Sequence, residues 1–464
     1  MKKTLKRLLY GSLIAGASLL PFRGKASESV DPREDSPVLE DTQGVQRVGI
    51  FLLSFEDRPF SFPFSSAYEE NIDEVEFHNT LDRVSSFYEQ ASYGKMTFSF
   101  EVVGTYNLRE SNSYPICSSL TDAMRILTRI DGDDERKKYP RLMYVFPHYL
   151  GCNRARGTIG RVADIVTPGE PKFSEAYIPT SKFDYRVLIH ELGHNLGLRH
   201  ANALDCGDKS IDDQFDTCTS IEYDDVFDPM GTVEMDFNAL HKEKLLWFND
   251  AQIEVANSPR LYTLSPLANK DSDVKLLKIP RKHPFSEEDN WCYVEYRHPS
   301  GLDDVGNYRL YNEPGLLFHI RYLINSGDSH LVDPSPNDTN LHAALGWREV
   351  YYDRVNDFTV TLEDRDEMSA RVKIDLSPPL FIRGDANKNG RVDISDTSLI
   401  LGYLLRGGAK LGCSDSADAN DDGKVDIADP IYLLRFLFYG EKAPPFPLAE
   451  PGVDPTYDDL GCAT

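Results

Sequence analysis

The sequence has no surplus of basic residues. Lys and Arg number 50 against 75 Asp and Glu, a formal charge of −25, whereas nucleic-acid binding needs clustered Lys and Arg to neutralise phosphates. It also lacks a membrane span, because the apolar run Leu8 to Leu20 is shorter than the ~20 residues required and no later stretch is long enough. Cysteine is sparse: there are seven, none before Cys117, and an odd count leaves one over.

What is there at the start is a short export signal. Lys2, Lys3, Lys6 and Arg7 precede the apolar run, and Gly24-Lys25-Ala26 offers small residues around a cleavage point, so 1–26 reads as a secretory signal peptide. The expectation is a secreted or cell-surface protein with no transmembrane anchor after cleavage. Residues 27–46, polar, acidic and proline-punctuated, read as a linker or short pro-segment. Export permits disulfides. Cys206 and Cys218 bracket a short acidic loop, Cys413 and Cys462 bracket the end of the chain, and Cys117 with Cys152 remain as a third pair. Cys292 is then a buried free thiol.

The chemistry concentrates in HELGHNLGLRH, His190 to His200. A helix turns about 100° per residue, so His190 and His194 share one face while Leu188, Leu192 and Leu196 point roughly the other way. Gly197 permits the chain to leave the helix in a left-handed conformation, and His200 can return to the same ion. Three imidazoles with an open position are the ligand set of a catalytic zinc. Glu191, next to the first ligand, is placed to take a proton from water at that metal.

HExxHxxGxxH resembles the metzincin signature, whose members carry a methionine turn below the zinc. Met230, in Asp228-Pro229-Met230-Gly231, is the candidate here, and the flanks IEYDDVFDPMG and FNALHKEKLLWF resemble the gametolysin family. The resemblance implies a secreted zinc endopeptidase acting on protein or glycoprotein. It also implies a mixed sheet with packed helices and an edge strand bordering the cleft. SEAYIP, Ser174 to Pro179, either fills that edge or is an ordinary sheet strand. Some metzincins have a tyrosine two residues past the Met as a transition-state donor; Thr232 stands there in this chain. With no cysteine before Cys117, latency through a propeptide thiol is not expected.

Within 47–250, VGIFLLSF (Val48–Phe55) reads as a buried strand. Phe77, Leu81, Val84, Tyr88 and Ala91 mark an amphipathic helix over Glu74–Ala91. Phe98 to Val102 and RLMYVFP from Arg141 read as strands, Leu120 to Ile130 as a helix, and Phe237 to Trp247 as a closing helix burying Leu240, Leu245 and Leu246. The acidic stretch holding Asp208, Asp212, Asp213, Asp216, Glu222, Asp224 and Asp225 is compatible with calcium, though such runs are more often simply solvated.

Residues 251–378 are β-rich, with segments such as LYTLSPL, WCYVEYRH and GLLFHIRYL, and point to an antiparallel sandwich. Trp291, Tyr293 and Tyr296 alternate as strand residues do, favouring core over a sugar platform. In 379–464 two segments repeat 33 residues apart. The first offers Asp385, Asn387, Asn389, Asp393 and Asp396 at loop positions one, three, five, nine and twelve; the second offers Asp418, Asn420, Asp422, Asp426 and Asp429. Gly390 and Gly423 hold the sharp turn at position six. Aspartate, not glutamate, closes each loop, and only the following helix is evident, with Asp429-Pro430 reading as an N-cap and first helical position. This resembles a type I dockerin, which implies two calcium ions and docking to a cohesin-like or cell-surface partner. The Ser-Thr pairs that cellulosomal dockerins often use for contact are replaced by Ile394-Ser395 and Ile427-Ala428.

The expected architecture is therefore multidomain: an α/β (α+β) metzincin lobe, a β-sandwich-like middle and a small α calcium-loop-helix module. The expected function is zinc proteolysis. The alternative is a non-catalytic calcium-dependent adhesion or scaffolding protein with a vestigial protease lobe, against which the intact Glu191 argues.

Overall fold

VGIFLLSF lies within a strand whose two faces are both covered. In the computed structural model this strand, β1 (Gly44–Phe55), is flanked by β2 (Met96–Leu108) and β3 (Arg141–Phe146), with β4 (Arg156–Gly157) and β5 (Ser174–Pro179) beyond, in the order β2-β1-β3-β5-β4. All are parallel except β4, which runs antiparallel to β5. Val48, Ile50 and Leu52 pack with helices α1 (Glu74–Ala91) and α3 (Tyr185–Asn195). Phe51, Leu53 and Phe55 pack on the opposite face with Leu120 and Met124 of α2 (Ser118–Leu127). Double coverage is why the strand is continuously apolar rather than alternating.

The structure describes residues 42–464 apart from 70, 128, 131–132, 161–172, 208, 212–217, 233–234, 282–290, 305–313, 322–328, 336–343, 407–409, 459 and 463–464. The signal-peptide reading of 1–26, most of the 27–46 segment, and Asp208, Asp212, Asp213 and Asp216 lie outside the described residues. No helix among the described residues is long and apolar enough to cross a membrane.

Helix α1 spans the residues its apolar spacing predicts. Asp73 caps it by accepting from the Glu76 amide at 2.9 Å, and Phe77, Leu81, Val84, Tyr88 and Ala91 are buried. SEAYIP is an interior strand; the edge belongs to Arg156 and Gly157. The closing helix, α4 (Ala239–Lys244), is shorter than expected. Leu246 adopts φ +59°, which ends the helix, and its side chain stays exposed, while Leu240, Leu245 and Trp247 are buried.

The chain that leaves the histidine motif enters a second sheet. β6 (Ala201–Asp205) and β7 (Thr219–Ile221) are followed by β8 (Ile253–Val255), β9 (Arg260–Leu264), β10 (Leu276–Pro280), β11 (Trp291–Arg297), β12 (Gly315–Ile320) and β13 (Ser329–Val332). β14 (Val350–Asp353), β15 (Phe358–Arg365) and β16 (Ala370–Leu376) complete the set. The seven-stranded sheet runs β8-β10-β11-β12-β13-β6-β7, the four-stranded one β9-β16-β15-β14. Leu204, Leu277, Val294 and Phe318 of the first share a core with Tyr262, Tyr351, Val360 and Val372 of the second. The expected sandwich is not purely antiparallel, because β8 pairs parallel to β10 and β13 parallel to β6. The second pairing arises because β6 comes from the segment before residue 250. Tyr293 and Tyr296 are buried.

A buried charge network crosses the same junction. Lys242 Nζ donates to Asp236 Oδ2 at 2.6 Å and to the Ala91 carbonyl at 2.8 Å. Arg297 donates to Glu295 and Asp303, both at 2.6 Å, and to the Asp236 carbonyl at 3.2 Å. Glu295 in turn accepts from the amide of Ala239, at the positive end of α4. Burial pushes the Asp236 carboxyl up to about 6 against the pull of Lys242 and Arg297.

Helices α5 (Ile394–Arg406), α6 (Ser414–Ala417) and α7 (Ala428–Tyr439) form the C-terminal part, where Ile400 and Leu433 meet over Ala386, Ala417 and Ala419. The structure joins Cys117 to Cys152, Cys206 to Cys218 and Cys413 to Cys462. Cys292 is a free, buried thiol whose pKa burial pushes far up, which disfavours the thiolate.

Removing one member of a buried ion network leaves the others unpaired. Arg297→Ala is expected to cost about 3–5 kcal/mol, read as a lowered urea midpoint; an unchanged midpoint would contradict the role given to this network.

Candidate active site

Helix α3 starts at Asp184, whose carboxylate accepts from the Arg186 amide at 3.0 Å, and stops where Gly197 takes φ +98°. That turn brings His200 back toward His190 and His194. The ring centroids are 4.8, 5.4 and 4.9 Å apart for the pairs 190–194, 190–200 and 194–200. The three residues each offer a nitrogen, all within 4.8 Å of one another.

The other nitrogen of each ring fixes the tautomer. His190 Nδ1 meets the Pro229 carbonyl at 2.9 Å, His194 Nδ1 the Leu198 carbonyl at 2.8 Å, and His200 Nδ1 the Glu222 carboxylate at 2.7 Å. All three partners are acceptors, so each Nδ1 carries the proton and Nε2 keeps its lone pair. Burial pushes His190 down to about 4, which favours the neutral ring a metal needs. This donor set fits a borderline cation such as zinc.

Glu191 is buried, and burial raises its carboxyl to about 8, against the opposing pull of the Gly157 amide and Arg156. A cation among the imidazoles would draw it back down. Gly157 on β4 does two things here. Its amide lies beside the Glu191 carboxyl and opposes the effect of burial on it, and its lack of a side chain admits the helix, since a Cβ would collide with the Glu191 carbonyl and come within 2.9 Å of His194 Cβ. Asn195 anchors the helix end by donating to the carbonyls of Thr158 and Glu175 at 3.1 and 3.0 Å. Buried Arg141 reaches the Asn195 carbonyl from β3.

Met230 is fully buried against the helix that carries His190 and His194. Its sulfur lies where a side chain on Gly193 would be, so the glycine inside the motif makes room for it. The turn is held by Asp228, which accepts from the amides of Met230 and Asn238, both at 2.7 Å, and contacts His241 Nδ1 at 2.9 Å. Asp225, one turn earlier, meets His319 Nε2 of β12 at 3.0 Å.

Residues 64–227 match a family model described as Metallo-peptidase family M12, and residues 383–437 match one described as Dockerin type I domain. These matches support a metalloprotease with a dockerin domain. No curated protein matches the chain. A solved structure titled "Structure of a chaperone-substrate complex" is similar at 13% identity over 44% of this chain, with a TM-score of 0.23. This chain spans 36% of that one, and a likeness so weak carries no argument.

Two residues of this site are not singled out by sequence. Glu222 belongs to the acidic stretch considered for calcium, yet it holds His200. Tyr223, at φ +64°, lays its ring 3.9 Å from that of His200. Burial, then Glu222 and Glu191, push its phenol up to about 12. The EYD run by itself gives no sign of either contact; only the return of β7 alongside β6 creates them.

The two C-terminal loops repeat one pattern of bonds. Asp385 accepts from the amides of Asn389 and Gly390, and Asp418 from those of Asp422 and Gly423. Asp396 accepts from Asn387 and Asp393, and Asp429 from Ala419, Asn420 and Asp426. Gly390 and Gly423 take φ +81° and +78°. Asp429 is thus not an N-cap: α7 starts at Ala428, after Ile427, which makes no capping bond, and Asp429 turns back into its loop.

Glu222 is exposed, so its hold on His200 is partly screened by solvent. Glu222→Ala is expected to weaken metal affinity roughly tenfold, at the low end of the usual range, as read by chelator competition; an unchanged affinity would remove Glu222 from the site.

Proposed function

We propose that this chain is an exported zinc-dependent endopeptidase of the gametolysin type that cleaves protein or glycoprotein. We further propose that its dockerin-like module binds calcium and a cohesin-like or cell-surface partner. The observation that carries the first reading is the set of three imidazoles, each with Nδ1 committed to an acceptor, beside the buried Glu191. Metallopeptidases of the matched family use zinc, and dockerin domains bind calcium.

His190, His194 and His200 would hold the ion, and Met230 would support them from below. Bound zinc supplies Lewis acidity, which acidifies water and polarises the scissile carbonyl. Glu191 takes the proton of the attacking water on its carboxylate and returns it to the departing amine nitrogen. The Gly157 amide, beside Glu191, opposes the effect of burial and so favours its ionised form. Thr232 offers no phenol, but Tyr223 stands against His200 and is available to hydrogen-bond a developing oxyanion. The role of 251–378 in this reading is support, because Glu295, Arg297 and His319 brace the segment carrying Asp225, Asp228 and α4.

In the C-terminal module the ligand set would be Asp385, Asn387, Asn389, Asp393 and Asp396, repeated as Asp418, Asn420, Asp422, Asp426 and Asp429. Ile394 and Ile427, at equivalent places in the two repeats, are each about half exposed, which favours a partner offering apolar contacts.

The deciding experiment compares wild type and Glu191→Ala for zinc content and casein hydrolysis. Both should retain zinc, and the variant should lose activity by roughly 10²–10⁴-fold. Retained turnover would refute the assignment of Glu191. Calcium removal should melt the C-terminal module, whose carboxylates would otherwise repel one another; a melting profile that ignores chelator would count against calcium there.

A further inference from the structure

The last residues of the chain fold back over the second acidic loop. Gly452 pairs with Phe381, Gly461 accepts from the Ser414 amide at 2.8 Å, and Cys462 is bonded to Cys413. Thr456 Oγ1 reaches both oxygens of Asp421, at 2.8 and 2.9 Å. Buried Arg383 bridges Asp421 and Asp454 at 3.0 and 2.9 Å. This return carries two carboxylates that belong to neither loop, Asp454 and Asp458, up to Asp415 of α6.

The three carboxylates each present an oxygen, and these oxygens lie within 4.8 Å of one another. Asp415 is only 7% exposed, and its Oδ1 is buried without a hydrogen-bond partner. Its other oxygen faces the Cys462 sulfur at 3.7 Å, which in a disulfide has no proton to donate. Asp458 commits Oδ1 to the Leu460 amide at 2.7 Å, while its buried Oδ2 has no partner. Unsatisfied buried carboxylate oxygens are costly. One guanidinium, Arg383, does not offset three converging carboxylates.

We propose that Asp415, Asp454 and Asp458 form a third calcium site, separate from the two twelve-residue loops. All three donors are hard oxygens, which selects calcium or magnesium over zinc. Calcium fits better because it tolerates irregular geometry and completes its shell with backbone carbonyls and water. Such an ion would fasten the tail onto α6, in the way that Cys413–Cys462 fastens it covalently to the residue just before that helix.

The test is bound calcium per full-length chain, measured by atomic emission after chelator stripping and re-equilibration with calcium. Asp458→Asn keeps Oδ1 for Leu460 and replaces only the unpartnered oxygen. It should bind one equivalent fewer than wild type, whatever number the loops hold. No difference between the two would overturn the proposal. If the variant loses more than one equivalent or fails to fold, terbium-soaked wild-type crystals decide. An anomalous peak between the three carboxylates upholds the site, and none rejects it.

Discussion

Three imidazoles can aim one nitrogen each at a common point only if the other three nitrogens are held. Here the restraint comes from three different places: a carbonyl beside Met230, a carbonyl just past the helix, and the carboxylate of Glu222. The helix alone supplies two of the rings but orients neither of them fully. The turn containing Pro229 must be in position for His190, and β7 must lie beside β6 for His200 to be clamped. The centre is therefore a product of the segment up to residue 230, although its motif ends at residue 200.

That dependence extends further. Asp228 sets the turn, and Asp228 is in contact with His241, on a helix whose first amide is bound by Glu295. Asp225 is matched by His319, whose pKa rises because Asp225 outweighs the burial that would lower it. Lys242 ties the same helix back to the end of α1. Polar groups this deep are stable only when paired, and the pairing partners come from both sides of residue 250.

How much of this is legible in sequence depends on range. The α1 boundaries follow from a 3.6-residue apolar period, which is local. The metal motif is legible because its spacing is itself geometric. The loop repeats are legible because duplication makes each position appear twice. Gly157 and Glu222 are not, since their importance arises only when distant backbone arrives beside them. The purely antiparallel reading of the middle fails for the same reason: the composition of β6, ANALD, gives no hint that it will pair parallel with Ser329–Val332. The helix expected over 237–247 is cut short by Leu246, a residue whose type carries no turn signal. Asp429-Pro430 has the sequence of a cap but sits inside the first turn, because its carboxylate is satisfied by loop amides instead.

The parallel pairing of β6 with β13 also has a temporal meaning. β6 begins at the residue after His200, and the strand it pairs with ends at Val332. A ribosome synthesises the chain from the N-terminus, so more than a hundred residues must emerge after the histidine motif before that strand has its second neighbour. Until then β6 is paired on one edge alone, with β7. The order of strands thus leaves the strand that follows the motif open on one edge until most of the polypeptide has been made.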